Sequence, residues 1–331
     1  MQLPFAWWNP QNLAHYDPGR RSERRWPSTP DAYQEKLARV VRALKESAIS
    51  ESSDVVLGLA EVTYQAAHDV RDACLPNHEV ESMDMRPDRA GALEPAILFP
   101  RRPEFTTHPP IIVPNMPRGT RPMPVLDYTL DGHRIRFIVC HWTARFDNTS
   151  THKRSDIASH LSHEIFEFLT GGSTSEARHV MIMGDLNEEP YGLLEERLHA
   201  VRSRDRVRDS LHWTDKDERR IRLYNLTWRL LGERFPHDGR PRKDFDTAGT
   251  YYWRKKKTWH TFDQVIVSGS LLSDTPPFVD ETSMEVVTHE SLLADSGRPE
   301  SFIWSRKRSI GGVSDHLPVR GRIQTRSEED T

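Results

Sequence analysis

Apolar residues recur along this chain in short continuous runs, and most of these runs end in a polar cluster. Runs near 4–9, 55–60, 95–99, 124–130, 134–140, 179–184, 249–253, 262–267 and 317–323 have the length and composition of strands. Two stretches carry a helical period instead. From Asp31 to Ser47, the residues Tyr33, Leu37, Val40, Val41 and Leu44 share one stripe, with Thr29-Pro30 ahead of them as cap and first-turn proline. From Lys153 to Leu169, Ile157, Leu161, Ile165, Phe168 and Leu169 form a second stripe, which Gly171-Gly172 end. Leu126 to Leu130, Asp131-Gly132 and Arg134 onward read as a hairpin through a type I′ turn. Long apolar strands alternating with helices predict sheets covered on their outer sides, which two packed mixed sheets with flanking helices satisfy.

The polar clusters carry the candidate chemistry. Gly184-Asp185-Leu186-Asn187 follows the run Val180 to Met183. Side chains two apart on a strand point the same way, so a strand end here delivers a carboxylate and an amide together, suited to holding and deprotonating a water. Glu61 follows Val55 to Ala60, and a carboxylate ending an apolar strand is costly to bury unless it is paired or binds a cation. Oxygen donors from one or two carboxylates, completed by water and substrate phosphate, suit Mg²⁺. Trp7-Trp8-Asn9 and Cys140-His141-Trp142 end two further runs, while Phe262-Asp263-Gln264 and Ser314-Asp315-His316 complete the set. Each cluster alone has an ordinary structural reading. Their joint occurrence across the whole chain argues against separate coincidences.

Length and composition narrow the picture. A chain of 331 residues could form one large α/β domain or two smaller ones, and clusters spread from Asn9 to His316 favour one. The expected division is a domain over 1–326, an insertion at about 201–243 rich in mixed charge, and a disordered tail at 327–331. No apolar run reaches membrane-spanning length, and a strand starting by Leu3 leaves no room for a signal peptide. Cys74 and Cys140 are too few for a disulfide framework, so a reducing cytoplasm is the default. Cys140 lies inside an apolar strand and is expected as a buried thiol. The net charge of −3 says nothing for a nucleic-acid partner. Local runs do: Arg20, Arg21, Arg24 and Arg25, then Arg254-Lys255-Lys256-Lys257, then Arg306-Lys307-Arg308 all flank the clusters, where they could meet phosphates.

In this order, the clusters resemble the motifs of the endonuclease/exonuclease/phosphatase superfamily, the fold of pancreatic deoxyribonuclease. The resemblance runs from about Phe5 to Ile323. It rests on Trp8-Asn9 with Gln11-Asn12-Leu13, on Leu59-Ala60-Glu61-Val62, on Gly184-Asp185-Leu186-Asn187 and on Ser314-Asp315-His316-Leu317-Pro318-Val319. It implies a four-layer α/β sandwich, two packed mixed β-sheets flanked by helices. It also implies Mg²⁺, which Mn²⁺ can replace, with Glu61 as first ligand. Asn9 would assist at the metal or the phosphate, and Asp315 would complete the coordination or act through water. Asp185 would orient or deprotonate the attacking water, with Asn187 fixing either the phosphate or Asp185. Asp263 sits where the family orients its terminal histidine, here His316, which would stabilise the phosphorane. His141 would protonate the leaving oxygen, a histidine typical of the deoxyribonuclease-like and sphingomyelinase-like branches. Cys140-His141-Trp142-Thr143-Ala144-Arg145 is similar to the Asn-His-Trp-Pro-Ser-Arg of a bacterial subgroup, departing at Cys140, Thr143 and Ala144. Arg145 is then a phosphate clamp or a structural ion pair, and Glu94 falls where the fold supplies a carboxylate partner for His141.

The expected function is a Mg²⁺-dependent phosphodiesterase cutting DNA or RNA. The alternative is the same chemistry on a small or lipid phosphate, of inositol-phosphate or sphingomyelinase type. Tyr251-Tyr252-Trp253 is the one patch that could touch a membrane, and strand packing is the favoured reading, so no stable membrane association is expected. No protein partner can be inferred. A non-catalytic scaffold is disfavoured, because every expected site residue is retained.

Overall fold

Thr29 opens the first helix as expected: its hydroxyl accepts from Ala32 N at 3.1 Å, and Pro30 takes the first helical position. In the computed structural model all residues are described except 21–24, 83–92, 115–120, 146–147, 172–175, 211–220, 232–246, 306–307 and 327–331. Arg21, Arg24, Arg306, Lys307, the expected tail and parts of 201–243 therefore lie outside the described residues.

The helices are α1 (Pro30–Glu46), α2 (Tyr64–Cys74), α3 (Asn148–Thr170), α4 (Leu193–Arg197) and α5 (Arg204–Ser210). The strands are β1 (Gln2–Trp8), β2 (Val56–Val62), β3 (His78–Ser82), β4 (Glu94–Pro100), β5 (Phe105–Ile111), β6 (Met123–Leu130), β7 (His133–His141), β8 (Ala177–Asp185), β9 (Ala200–Val201), β10 (Leu223–Asn225), β11 (Tyr251–Trp253), β12 (Thr258–His260), β13 (Asp263–Ser268), β14 (Phe278–Val286), β15 (Ile303–Ser305), β16 (Arg308–Ile310) and β17 (Val319–Gln324). One mixed sheet has the order β14-β17-β1-β2-β4-β3, and the other the order β5-β6-β7-β8-β13-β10-β9. Asp131 and Gly132 both have positive φ, 51° and 80°, so the β6–β7 connection is the predicted type I′ turn.

Strand alternation sorts the apolar residues into layers. On β1, Leu3, Phe5 and Trp7 face the second sheet, where they meet Phe137, Val139, Met181, Met183 and Val265. Ala6 and Trp8 face the other way, against Val40, Leu44 and Val70 of α1 and α2. On β8 the same switch sends Met181 and Met183 inward and Val180 and Ile182 outward to Ile157, Leu161 and Ile165 of α3. Two sheets with helices on both outer faces give the expected α/β sandwich. Fully burying side chains of this size contributes about 1.5–3 kcal/mol each.

The elements absent from the sequence reading share a cause. β3 and β14 are the two edges of the first sheet and β5 is an edge of the second. Edge strands bury little, so His78–Ser82 and Phe278–Val286 read as polar, and Pro109-Pro110 inside β5 hides it further. Helix α2 buries chiefly Ala66, Ala67 and Val70, a weak apolar stripe. Helix α3 begins at Asn148, five residues before the periodic stripe starts. Within 201–243, β10 and the neighbouring β9 extend the second sheet beyond β13. No helix among the described residues is long and apolar enough to cross a membrane. Cys140 is fully buried, and burial pushes its thiol up to about 12.

Candidate active site

Three adjacent strands of the second sheet place one polar row. His141 ends β7, Asp185 ends β8 and Asp263 begins β13; His141 pairs with Asp185 in the ladder, and Asp185 pairs with Asp263. Close approach of β7 and β8 requires Gly184, because a Cβ there would stand 2.4 Å from the Cys140 carbonyl oxygen.

The first sheet brings its residues to the same edge. β1 runs parallel to β2 and antiparallel to β17, so the end of β1, the end of β2 and the segment entering β17 converge. Ser314 ties two of them: its hydroxyl donates to the Asn9 carbonyl at 2.7 Å and accepts from His316 N at 3.0 Å. Gln11, Asn12, Glu61 and Asn187 all hold left-handed backbone, with φ of 55°, 51°, 50° and 50°. For non-glycine residues this costs of order 1–3 kcal/mol each and clusters at functional sites. At Glu61 it accompanies a register shift between β2 and β4, and the carboxylate so turned accepts from Asn12 N at 2.9 Å.

The two sheets meet at Asp263 and Asp185. Asp263 Oδ1 accepts from Trp7 Nε1 at 2.8 Å, and Oδ2 pairs with His316 Nδ1 at 2.7 Å. Asp185 Oδ2 accepts from Asn9 Nδ2 at 3.1 Å and lies 3.6 Å from His141 Nε2 and 3.8 Å from His316 Nε2. Asp185 Oδ1 accepts from Asn187 N at 3.0 Å. Strand alternation therefore does not bring Asp185 and Asn187 together: β8 ends at Asp185, and a side-chain-capped turn does so instead. The Asn187 amide donates to the Trp142 carbonyl at 3.0 Å, so this residue fixes Asp185 and the loop after β7.

Electrostatics divide the histidines. Burial works against charge on His316, but Asp263 and Asp185, the Asp263 hydrogen bond and Asp315 outweigh it and hold the ring up at about 10. Burial, with the positive charges of Arg121, His316 and Arg25, holds His141 well below its usual value. These shifts favour a charged His316 beside a neutral His141. Burial raises the Asp185 carboxyl, His316 opposes this and Asp263 adds to it.

Asp185, Asp263 and His316 offer ligand atoms within 4.8 Å of one another. Both Asp263 oxygens and His316 Nδ1 are already engaged, however, so this trio is a hydrogen-bonded relay more than an ion cage. Free oxygens lie at the neighbouring corner. Asp315 Oδ1 and Asn12 Oδ1 are buried acceptors without a hydrogen-bond partner among the described residues, and the nearest ion-pair partner of Glu61 Oε1 is His141 Nε2 at 3.7 Å. Two carboxylates and an amide oxygen suit a hard divalent cation. Gln11 Nε2 steadies Asp315 Oδ2 at 2.9 Å.

Two expected residues have these neighbours. Asn9 Oδ1 accepts from Gln11 N at 2.9 Å and its amide donates to Asp185. Glu94 is buried at the start of β4 across from Val62, and His141 Nδ1 has no hydrogen-bond partner among the described residues. Arg145 is exposed, 3.7 Å from Glu188, whose other oxygen the buried Arg154 holds at 2.6 Å. The run Arg254–Lys257 forms the exposed turn of the β11–β12 hairpin. That hairpin is fastened to the site: Tyr252 N donates to the Asp315 carbonyl at 3.0 Å, and Leu317 N to the Thr250 carbonyl at 2.7 Å. Tyr251 packs on His316 with ring centroids 4.6 Å apart.

Sequence reasoning missed Trp7 and Lys36. Trp7 reads as a core tryptophan, and Gly58 beside it is the only hint: a Cβ there would come within 2.8 Å of the indole. Lys36 belongs to the α1 stripe by position, yet it is buried with its ammonium on the Val313 carbonyl. Burial pushes it down to about 7, with Asp315 and Glu61 drawing it back up.

A sequence model of the Endonuclease/Exonuclease/phosphatase family matches residues 11–325. No curated protein matches the sequence. Among solved structures, TDP2 of D. rerio in complex with a single-strand DNA product is 13% identical, covers 98% of this chain and 99% of its own, and superposes with a TM-score of 0.54. The mannosyl-6-phosphatase of Bacteroides thetaiotaomicron is 13% identical over 97% of this chain and 99% of its own, with a TM-score of 0.55. A further family protein from that organism is 14% identical over 98% and 95%, with a TM-score of 0.55. At these identities the likeness is one of fold.

Proposed function

The chain belongs to the Endonuclease/Exonuclease/phosphatase family, a family of phosphoester hydrolases that generally use divalent metals, and we propose that it is a Mg²⁺-dependent phosphodiesterase acting on nucleic acid. The observation that carries the reading is the cross-strand row His141, Asp185 and Asp263, faced by a charged His316, by the Glu61 carboxylate and by the unpartnered Oδ1 of Asp315. Phosphodiester hydrolysis needs a positioned water, a proton acceptor and positive charge where the phosphoryl oxygens gain negative charge.

Asp185 Oδ2 is the proton acceptor. Asn9 holds that oxygen and Asn187 N holds Oδ1, the two histidines stand beside the carboxylate, and burial raises it toward the working range of a base. His316 presents Nε2 to the phosphoryl oxygens while Asp263 holds Nδ1 and supports the charge. His141 donates a hydrogen bond from Nε2. Glu61 and Asp315 would hold Mg²⁺ or Mn²⁺, which, when bound, neutralises phosphoryl charge and acidifies water. Arg145 would clamp a phosphate by leaving Glu188, whose charge Arg154 already balances.

Nucleic acid is the preferred substrate because the Lys255–Lys257 turn is exposed and its hairpin is bonded to the backbone of the site. We assign catalysis to a single domain over 1–326, since β1 and β17 pair from opposite ends of the chain, and to the cytoplasm, the compartment that suits two free cysteines. The test is a panel of plasmid DNA, single-stranded DNA, RNA, bis-p-nitrophenyl phosphate and mannose 6-phosphate with Mg²⁺, Mn²⁺, Ca²⁺ and chelator. Metal-dependent cutting of a nucleic acid is the expected result. Hydrolysis of the sugar monoester alone would replace this reading with the small-molecule alternative.

A further inference from the structure

Beside the catalytic Asp263–His316 pair stands a second carboxylate–imidazole pair. Glu189 Oε1 pairs with His260 Nδ1 at 2.7 Å, and Glu189 Oε2 accepts from Thr261 N at 3.2 Å. Glu189 follows Asn187 by two residues, and His260 precedes Asp263 by three, so the pair is joined by short backbone to both catalytic strands. It also shares packing with the site. The His260 ring lies nearly parallel to Phe262, with centroids 4.7 Å apart and an 18° interplanar angle, and 6.0 Å from Tyr251, which itself packs on His316. Trp253 stands 6.2 Å away, tilted by 44°.

This leaves His260 one unused edge. Nδ1 is held by Glu189 and the ring faces have aromatic neighbours, while Nε2 makes no hydrogen bond among the described residues and is not a buried orphan. The nearby carboxylates already have partners. Glu189 is paired with His260, Glu188 is held by Arg154, and Glu300 is held by Arg254 at 3.0 Å. The cations left over on this rim are Arg145, whose guanidinium lies 5.9 Å from the Phe262 ring centre, and the exposed lysines of the β11–β12 turn. Glu189 on Nδ1 complements an imidazolium, and in that form Nε2–H is a free donor that can meet an anion.

We propose that Glu189 and His260 form a subsite for a non-scissile phosphate of the substrate chain, with His260 Nε2 as the contact and Glu189 as the residue that orients it. The inference rests on the nucleic-acid reading above. It makes the enzyme prefer substrates with a phosphate on each side of a nucleotide over isolated phosphoesters.

Isosteric variants separate this role from mere anchoring of the β12–β13 turn. In His260→Asn the amide can still reach Glu189 where Nδ1 stands, but the Nε2 edge is gone. His260→Gln does the reverse. The readout is kcat/KM on a short oligonucleotide divided by kcat/KM on bis-p-nitrophenyl phosphate, together with the salt dependence of the first. His260→Asn is expected to lower the ratio about tenfold and flatten the log–log salt slope by roughly 0.7–0.9, the share of one phosphate contact. His260→Gln is expected to keep most of the ratio, and Glu189→Gln to lose part of it. A His260→Asn enzyme with wild-type ratio and slope overturns the subsite alone. A wild type that cuts no oligonucleotide yet hydrolyses a small phosphoester overturns the parent reading, and the subsite with it.

Discussion

Asp185 and Asp263 are directly opposed Cα partners across β8 and β13, two buried carboxylates side by side in one ladder. Such a pair is tolerated only if its charge is balanced, and each member is balanced differently. Asp263 has an indole and an imidazole; Asp185 has two amide donors and the near edges of two histidines. One carboxylate is saturated and serves its neighbour, while the other keeps an oxygen facing the reaction.

Asp263 and His316 therefore act as a unit. His316→Ala and Asp263→Asn should each lower kcat, and the double variant should be little worse than the poorer single one. Strict additivity in kcat would show that the two residues work independently.

Glu61, near the end of β2 in strained backbone, accepts from Asn12 N with one oxygen and turns the other toward His141. Glu61→Gln keeps the shape and removes the charge. It should cost at least ~10²-fold in rate and weaken Mg²⁺ binding, as expected when a metal's contribution of several kcal/mol is lost. Isothermal titration with Mg²⁺ or Mn²⁺ reads the binding directly, and full activity in EDTA would refute the metal requirement.

Trp7 reaches across the sandwich to Asp263 because Gly58 leaves room for its indole. Trp7→Phe fills much of the same space but strands a buried carboxylate oxygen. A stability loss of about 1–3 kcal/mol is expected in chemical denaturation, with a fall in kcat as Asp263 loses its anchor. Unchanged stability would mean that Asp263 finds another donor.

Neutralising Lys255, Lys256 and Lys257 together should raise KM for DNA or RNA and flatten its salt dependence by roughly 0.7–0.9 per lost contact. Bis-p-nitrophenyl phosphate, with no extended backbone, should be affected far less. A triple variant with wild-type KM and salt slope would reduce the turn to a solvated surface.

Far from the site, burial and the neighbouring His133 lower His179 from 6.5 to about 4. In the unfolded chain His179 protonates first, so its neutral burial contributes full stability above about pH 6.5, and that contribution is lost as pH falls toward 4. The loss is up to about 3 kcal/mol at 1.36 kcal/mol per pH unit. Thermal melting between pH 7 and 4 should show the slope, and His179→Gln should reduce it.

Periodicity and local chemistry in the sequence determined the central strands, α1, the β6–β7 turn and the layer each apolar residue occupies. These signals are short-range: a strand buried on both faces must be apolar throughout, and a cap or a type I′ turn needs particular residues at adjacent positions. The same local logic, with the order of the motifs, singled out His141, Asp185, Asp263, Asp315 and His316, which the fold brings to one edge of the sandwich. It did not identify the edge strands β3, β5 and β14, whose single buried face leaves little pattern.

The tertiary structure decided what the side chains do. Asn9 follows β1 of the first sheet, and its amide crosses to support Asp185 of the second. Trp7 and Lys36 looked like ordinary core and helix positions, yet one holds Asp263 and the other sits buried behind the Glu61 and Asp315 corner. Hydrogen bonds between residues such as Trp7 and Asp263, 256 positions apart, depend on how two sheets stack, and stacking is set by the sum of all core contacts rather than by any local run.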